Sequence, residues 1–123
     1  MAGVALRLLV KATAGADDPE RCAQAFTVAS VAVASGVEVS LWLTGEAAWL
    51  AVAGRAEAFV LEHSAPLSSL RDAVLDAGTL TVCSQCALRR ELGQDDLLPG
   101  VRLAGAAVFV SEAIAEGTQA LVY

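Results

Sequence analysis

One histidine, three cysteines and 5% aromatic residues among 123 leave little room for several kinds of chemistry. A zinc site needs about four ligands, and only Cys22 and His63 stand outside the Cys83/Cys86 pair, so no metal is expected. No glycine-rich fingerprint follows the first apolar run. Gly15 stands alone there, and Asp17 and Asp18 would repel a phosphate, so no nucleotide or other cofactor is expected either. Positive charge is also scarce. Eight Lys and Arg against fourteen Asp and Glu give a net charge of −6, which argues against nucleic acid or an anionic membrane as partner. The longest uncharged run, Cys22 to Val37, is shorter than the roughly 20 residues that cross a bilayer, and no membrane span is expected. Ala12-Thr13-Ala14 has the look of a leader cleavage site. No basic residue precedes the apolar stretch and Arg7 interrupts it, so the segment reads as a strand. Internal repeats, linkers and low-complexity tracts are missing, and residues 1–123 read as one domain.

What the chain has in excess is small apolar residues. The hydrophobic fraction is 56%, much of it alanine and valine. A domain of this length has limited interior, so part of that surface is expected to meet another subunit. Three cysteines without an export signal suggest free thiols in a reducing cytoplasm.

Strand and helix signals alternate. Val4 to Lys11 reads as a buried first strand. Asp18 is a helix N-cap with Pro19 at the first helical position, and Cys22, Ala25, Phe26, Ala29 and Val33 form one apolar stripe that Gly36 ends. Val37 to Leu43 is a second strand, with Val37, Val39, Leu41 and Leu43 on one face and Glu38, Ser40 and Trp42 on the other. Thr44-Gly45-Glu46 opens a short helix carrying Trp49 and Leu50, broken at Gly54. Arg55 to His63 carries no clear signal and reads as either a further helical turn or a mobile loop. Ser64 and Pro66 start a helix with Leu67, Leu70 and Val74 inward and Gly78 as its stop. Thr79 to Cys83 is a third strand, Ser84 to about Leu92 a short helix, and Gly93 to Gly100 a polar loop. Val101 to Leu103 is a brief strand, Ala107 to Glu116 a helix, and Gln119 to Tyr123 the last strand. This alternation predicts a parallel sheet with helices on both faces.

The candidate chemistry lies where the third strand ends. Cys83 falls between a strand and a helix start, where free backbone N–H groups and the positive dipole end favour a thiolate. Cys86 follows at helical offset three, so the two sulfurs share one face. Arg89 and Arg90 come almost two turns later and reach Cys83 only weakly unless the chain or a neighbouring subunit folds them back. The plainer alternative is that both cysteines are small buried hydrophobes. Cys22 lies on the apolar stripe and reads as core, His63 beside Glu62 as solvated surface, Trp42 and Trp49 as packing or subunit contacts, and Asp95-Asp96 as a solvated loop.

Five segments taken together carry a family signal: Gly15-Ala16-Asp17-Asp18-Pro19-Glu20-Arg21, Leu43-Thr44-Gly45-Glu46, Val82-Cys83-Ser84-Gln85-Cys86-Ala87-Leu88-Arg89-Arg90, Gly100 to Gly105, and Leu121-Val122-Tyr123. In this order they resemble the DsrE/DsrF-like family, which includes TusD-type sulfur-relay subunits. The resemblance runs nearly end to end. It implies a three-layer α/β/α sandwich with a five-stranded, largely parallel sheet, assembled as homo-oligomers, trimers or hexamers. It also implies that the cysteine ending the third strand, here Cys83, carries a persulfide between sulfur-donor and sulfur-acceptor proteins. Those relatives tend to have a small apolar residue where this chain has Cys86. A second thiol could attack a Cys83 persulfide, so Cys86 is a candidate resolving or regulating residue. Three readings follow: a cytoplasmic sulfur carrier or sulfurtransferase-like subunit, a dithiol–disulfide redox protein using Cys83 and Cys86, and a non-enzymatic oligomeric interaction module.

Overall fold

The computed structural model describes residues 6–123. Val4 and Ala5, the start of the expected first strand, lie outside the described residues. Strands β1 (Arg7–Ala12), β2 (Glu38–Leu43), β3 (Thr79–Cys83), β4 (Arg102–Ala104) and β5 (Thr118–Val122) alternate with helices α1 (Pro19–Ala34), α2 (Leu67–Ala77), α3 (Ser84–Arg89) and α4 (Ala106–Ala113). The sheet has the order β4-β3-β2-β1-β5, and every neighbouring pair is parallel.

The expected caps explain where the elements begin. Asp18 caps α1, accepting from the Arg21 N–H, with Pro19 at the first turn. The stripe on α1 is in place: Cys22, Ala25, Phe26 and Ala29 have no exposure at all. They pack with α2 on the face of the sheet formed by Val10, Ala12, Val39, Leu41, Leu43, Leu80 and Val82. Each strand contributes alternate residues to that face, as the two-residue period requires.

The opposite face is thinner. Register aligns Lys11, Trp42, Thr81 and Arg102 across four strands in one row. α4 covers this row with Phe109, whose ring meets Trp42 edge-on at 5.2 Å between centroids. No residue of α4 is itself buried. The layers are therefore α1 and α2, the sheet, and α4.

Several boundaries differ from the expectations. The helix after β2 is a 3₁₀ turn over Gly45–Ala51. α3 stops at Arg89 because Glu91 takes φ 55, and the Leu92 N–H turns back to the Ala87 carbonyl. Residues 55–63 form a surface loop of successive turns rather than a helix. Ala56 is buried, and Glu57 accepts two hydrogen bonds from Arg71, at 3.1 and 2.8 Å. Arg71 lies almost wholly buried and also bonds Asp72. Its guanidinium holds the Glu57 carboxyl down to about 2.

Candidate functional site

The C-terminal ends of β1, β2 and β3 meet in three packed turns, and backbone geometry dictates which residues fill them. A Cβ on Gly15 would lie 2.5 Å from the Glu46 carbonyl oxygen, so only glycine lets the loop after β1 touch the turn after β2. Gly45 takes φ 55, and a Cβ there would lie 2.9 Å from the Thr13 carbonyl oxygen. Gly15 therefore serves close backbone packing, which removes the reason to read it as part of a phosphate cradle.

The turn after β2 in turn holds the cysteine helix. The Gly45 N–H donates to the Cys86 sulfur at 3.2 Å. Glu46 accepts from Arg90 at 2.8 Å, and Arg90 also donates to the Cys86 carbonyl at 3.1 Å. The chain does fold Arg90 back, but onto Glu46 and the Cys86 carbonyl.

Cys83 occupies the N-cap of α3, in extended geometry with φ −61 and ψ 125. It is half-buried, whereas Cys86 is 8% exposed. No full capping hydrogen bond forms to its sulfur, so the turn acts through N–H dipoles directed at that atom. Burial pushes the Cys83 thiol up. The Cys86 N–H, the Cys86 thiol, the Gln85 N–H and the charge of Lys11 outweigh it, and the net shift is downward from 9.0.

Lys11 is the member that sequence reasoning missed. It sits at the end of β1, two strands from β3, and only the parallel register lines it up with Trp42 and Thr81 in the row before Cys83. Its ammonium lies 5.1 Å from the Phe109 ring centroid, so α4 steadies it. A lone lysine in an apolar strand was the available signal. β4 runs beside the cysteine, pairing Ala104 with Cys83, and Gly105 gives room for the Ser84 hydroxyl.

The other candidates are dispersed. Cys22 is buried and its thiol is pushed up to about 12, by burial first and by Asp17 and Asp18 second. His63 is exposed, at φ 59, in the wall of a surface hollow of about 630 Å³ between α1 and residues 61–65 that no cysteine lines. Trp42 is core. Trp49 is half-buried with the Arg55 guanidinium 4.3 Å from its ring centroid. Among the described residues no group of three or more His, Cys, Asp or Glu side chains is arranged to hold a metal ion, and no helix is long and apolar enough to cross a membrane. All three cysteines are free thiols.

The sequence profile of the DsrE/DsrF-like family matches residues 7–123. No curated protein matches the chain. Among solved structures, the fold is similar to the ychN protein from E. coli, with TM-score 0.78, 12% identity and coverage of 95% of this chain and 98% of that one. It is also similar to MTH1491 from Methanobacterium thermoautotrophicum, a protein of unknown function, with TM-score 0.72, 14% identity and coverage of 95% and 98%. BT1422 from Bacteroides thetaiotaomicron, another conserved protein of unknown function, aligns with TM-score 0.62 and 13% identity over 96% and 95%. At these identities the likeness is one of fold.

Proposed function

This chain belongs to the DsrE/DsrF-like family, and on that premise we propose that it is a small sulfur carrier, sulfurtransferase-like, whose Cys83 thiolate takes up sulfane sulfur. The observation that carries the reading is the placement of Cys83: partly exposed at a strand end, with its thiol lowered by the turn and by Lys11. A thiolate is the form that attacks a donor persulfide. In the transfer, the Cys83 sulfur bonds to the donor's outer sulfur and the donor cysteine leaves as a thiolate. An acceptor cysteine then repeats the exchange at Cys83, and no net oxidation occurs.

The partners of such a carrier are cysteine-bearing donor and acceptor proteins, in a reducing, cytoplasmic setting that keeps the three thiols free. Self-association, as a trimer or hexamer, is part of the same proposal. Its support is the apolar surface left open on and beside α4 and β5, where Val108, Val110, Ile114 and Val122 are exposed. No resident metal or cofactor is needed for sulfur exchange between thiols.

The proposal is tested by brief exposure to glutathione persulfide, followed by intact mass and peptide mapping. The expected result is one added sulfur on Cys83, none on Cys22, and no uptake by Cys83→Ser. Undiminished uptake by Cys83→Ser would falsify the assignment. A second reading, a dithiol–disulfide redox protein, draws support from Cys86 lying at the third position of the same helical turn. It predicts turnover of a disulfide substrate with no dependence on sulfane sulfur.

A further inference from the structure

A carrier needs one thiol, and this turn holds two in unequal positions. Cys83 is partly exposed, while Cys86 is 8% exposed and clamped by a turn from a neighbouring strand. The Gly45 N–H reaches the Cys86 sulfur at 3.2 Å, and Arg90, tied to Glu46 at 2.8 Å, holds the Cys86 carbonyl at 3.1 Å. Gly45 packs close against the loop after β1, with the Thr13 carbonyl oxygen 2.9 Å from where its Cβ would stand. N-cap and N3 of one helical turn are the positions from which Cys-x-x-Cys pairs exchange with one another. An incoming donor therefore meets Cys83, and Cys86 meets only what Cys83 carries.

We infer, resting on the carrier reading above, that Cys86 discharges a Cys83 persulfide as hydrosulfide when no acceptor thiol arrives. The Cys86 thiol gives its proton to solvent and its sulfur attacks Sγ of Cys83. A Cys83–Cys86 disulfide forms as the bond from Sγ to the sulfane sulfur breaks. The sulfane sulfur keeps that bonding pair and its own proton and leaves as HS⁻. It has been reduced, and the two cysteine sulfurs have been oxidised to one disulfide. A dithiol reductant then restores both thiols. Attack at the outer sulfur would instead seat an extra atom on Cys86, whose sulfur is already held by the Gly45 N–H at a site only 8% exposed. Carriage and discharge are thus in competition, and the arrival of an acceptor decides between them.

The test mixes wild type, Cys86→Ser and Cys83→Ser with an equivalent of glutathione persulfide, without oxygen or acceptor, and follows intact mass and bimane-trapped sulfide over time. The wild type should gain one sulfur, then lose it as a species two hydrogens lighter than the dithiol accumulates and sulfide appears. Cys86→Ser should keep its sulfur and release roughly tenfold less sulfide, and Cys83→Ser should do neither. The wild-type time course stands alone, so an effect of Cys86→Ser on packing does not blunt the test. A wild-type adduct as long-lived as that on Cys86→Ser overturns the discharge step and leaves the carrier reading standing. No adduct on Cys86→Ser together with no sulfide from wild type overturns both.

Discussion

The two faces of the sheet treat the same side chain in opposite ways. Cys22 lies on the face covered by α1 and α2, among Phe26, Leu43 and alanines, and its thiol is pushed up to about 12. Cys83 ends β3 two residues past Thr81, just beyond the row of Lys11, Trp42, Thr81 and Arg102 that α4 covers, and its thiol is lowered. Both lose hydration, and burial raises both. Only Cys83 has N–H groups and a cation to oppose it, whereas Cys22 has Asp17 and Asp18 adding to the penalty. The polar face also supports itself differently. Glu112 accepts from the Ser40 hydroxyl at 2.7 Å and the Trp42 indole N–H at 3.1 Å, and Arg102 bridges it to the Thr81 hydroxyl. Burial raises the Glu112 carboxyl, but those three donors bring it below the ordinary value. One face is built for cohesion and the other keeps charged groups in register beside a thiol.

The widest gap should be in reactivity. Under native conditions at pH 7, iodoacetamide should label Cys83 at least roughly a thousandfold faster than Cys22, as judged by peptide mass mapping. Similar rates would erase the contrast. Packing comes next. Phe26→Ala should lower unfolding stability in urea by about 4 kcal/mol. Phe109→Ala on the half-buried face should lose only about 1–2 kcal/mol. If the two losses match, α4 is as cohesive as α1, and the distinction fails.

The pH dependence sharpens the comparison through opposite signs. The folded chain holds the Cys22 proton more tightly than the unfolded one, whose thiol titrates near 9.0. That stabilisation is complete below 9.0 and declines as pH rises toward about 12, at about 1.4 kcal/mol per pH unit. Cys83, with a lowered thiol, contributes in the other sense: its stabilisation is present above 9.0 and is lost as pH falls through the lowered value. Urea titrations of wild type and Cys22→Ala across this range should differ by the Cys22 slope; parallel curves would remove Cys22 from the account. The smallest effect belongs to Lys11→Met, which keeps the apolar stem over Phe109 and deletes the charge. It should slow Cys83 alkylation at pH 7 roughly two- to fivefold with circular dichroism unchanged. An unchanged rate would leave the turn alone responsible for the lowered thiol.

Periodicity and caps carried most of the fold. The α1 stripe, the two faces of β2 and the strand ending at Cys83 were all legible, because each is a local pattern of side chains along one element. Arg55 to His63 was not legible, since its path depends on Ala56 packing into the core and on Glu57 pairing with Arg71 of the following helix, α2. The 3₁₀ turn read as an ordinary short helix, because its apolar spacing is the same and its tightness reflects packing of Ala47, Ala48 and Ala51. Within the candidate site, Cys83 and Cys86 stood out by spacing, while Lys11 and Gly45 did not. Both act across strands, on partners 72 and 41 positions away in the chain.

The order of residues by itself determined that strands and helices alternate, that helices flank the sheet on both sides, and that a Cys-x-x-Cys pair sits where a strand becomes a helix. Those features follow from hydrophobic period, capping groups and breakers, which act within a few residues. Tertiary structure alone decided which cation reaches the thiol and which glycine N–H anchors its neighbour. Those outcomes depend on strand register and on electric fields summed over distant segments, quantities that come into being only when the sheet closes.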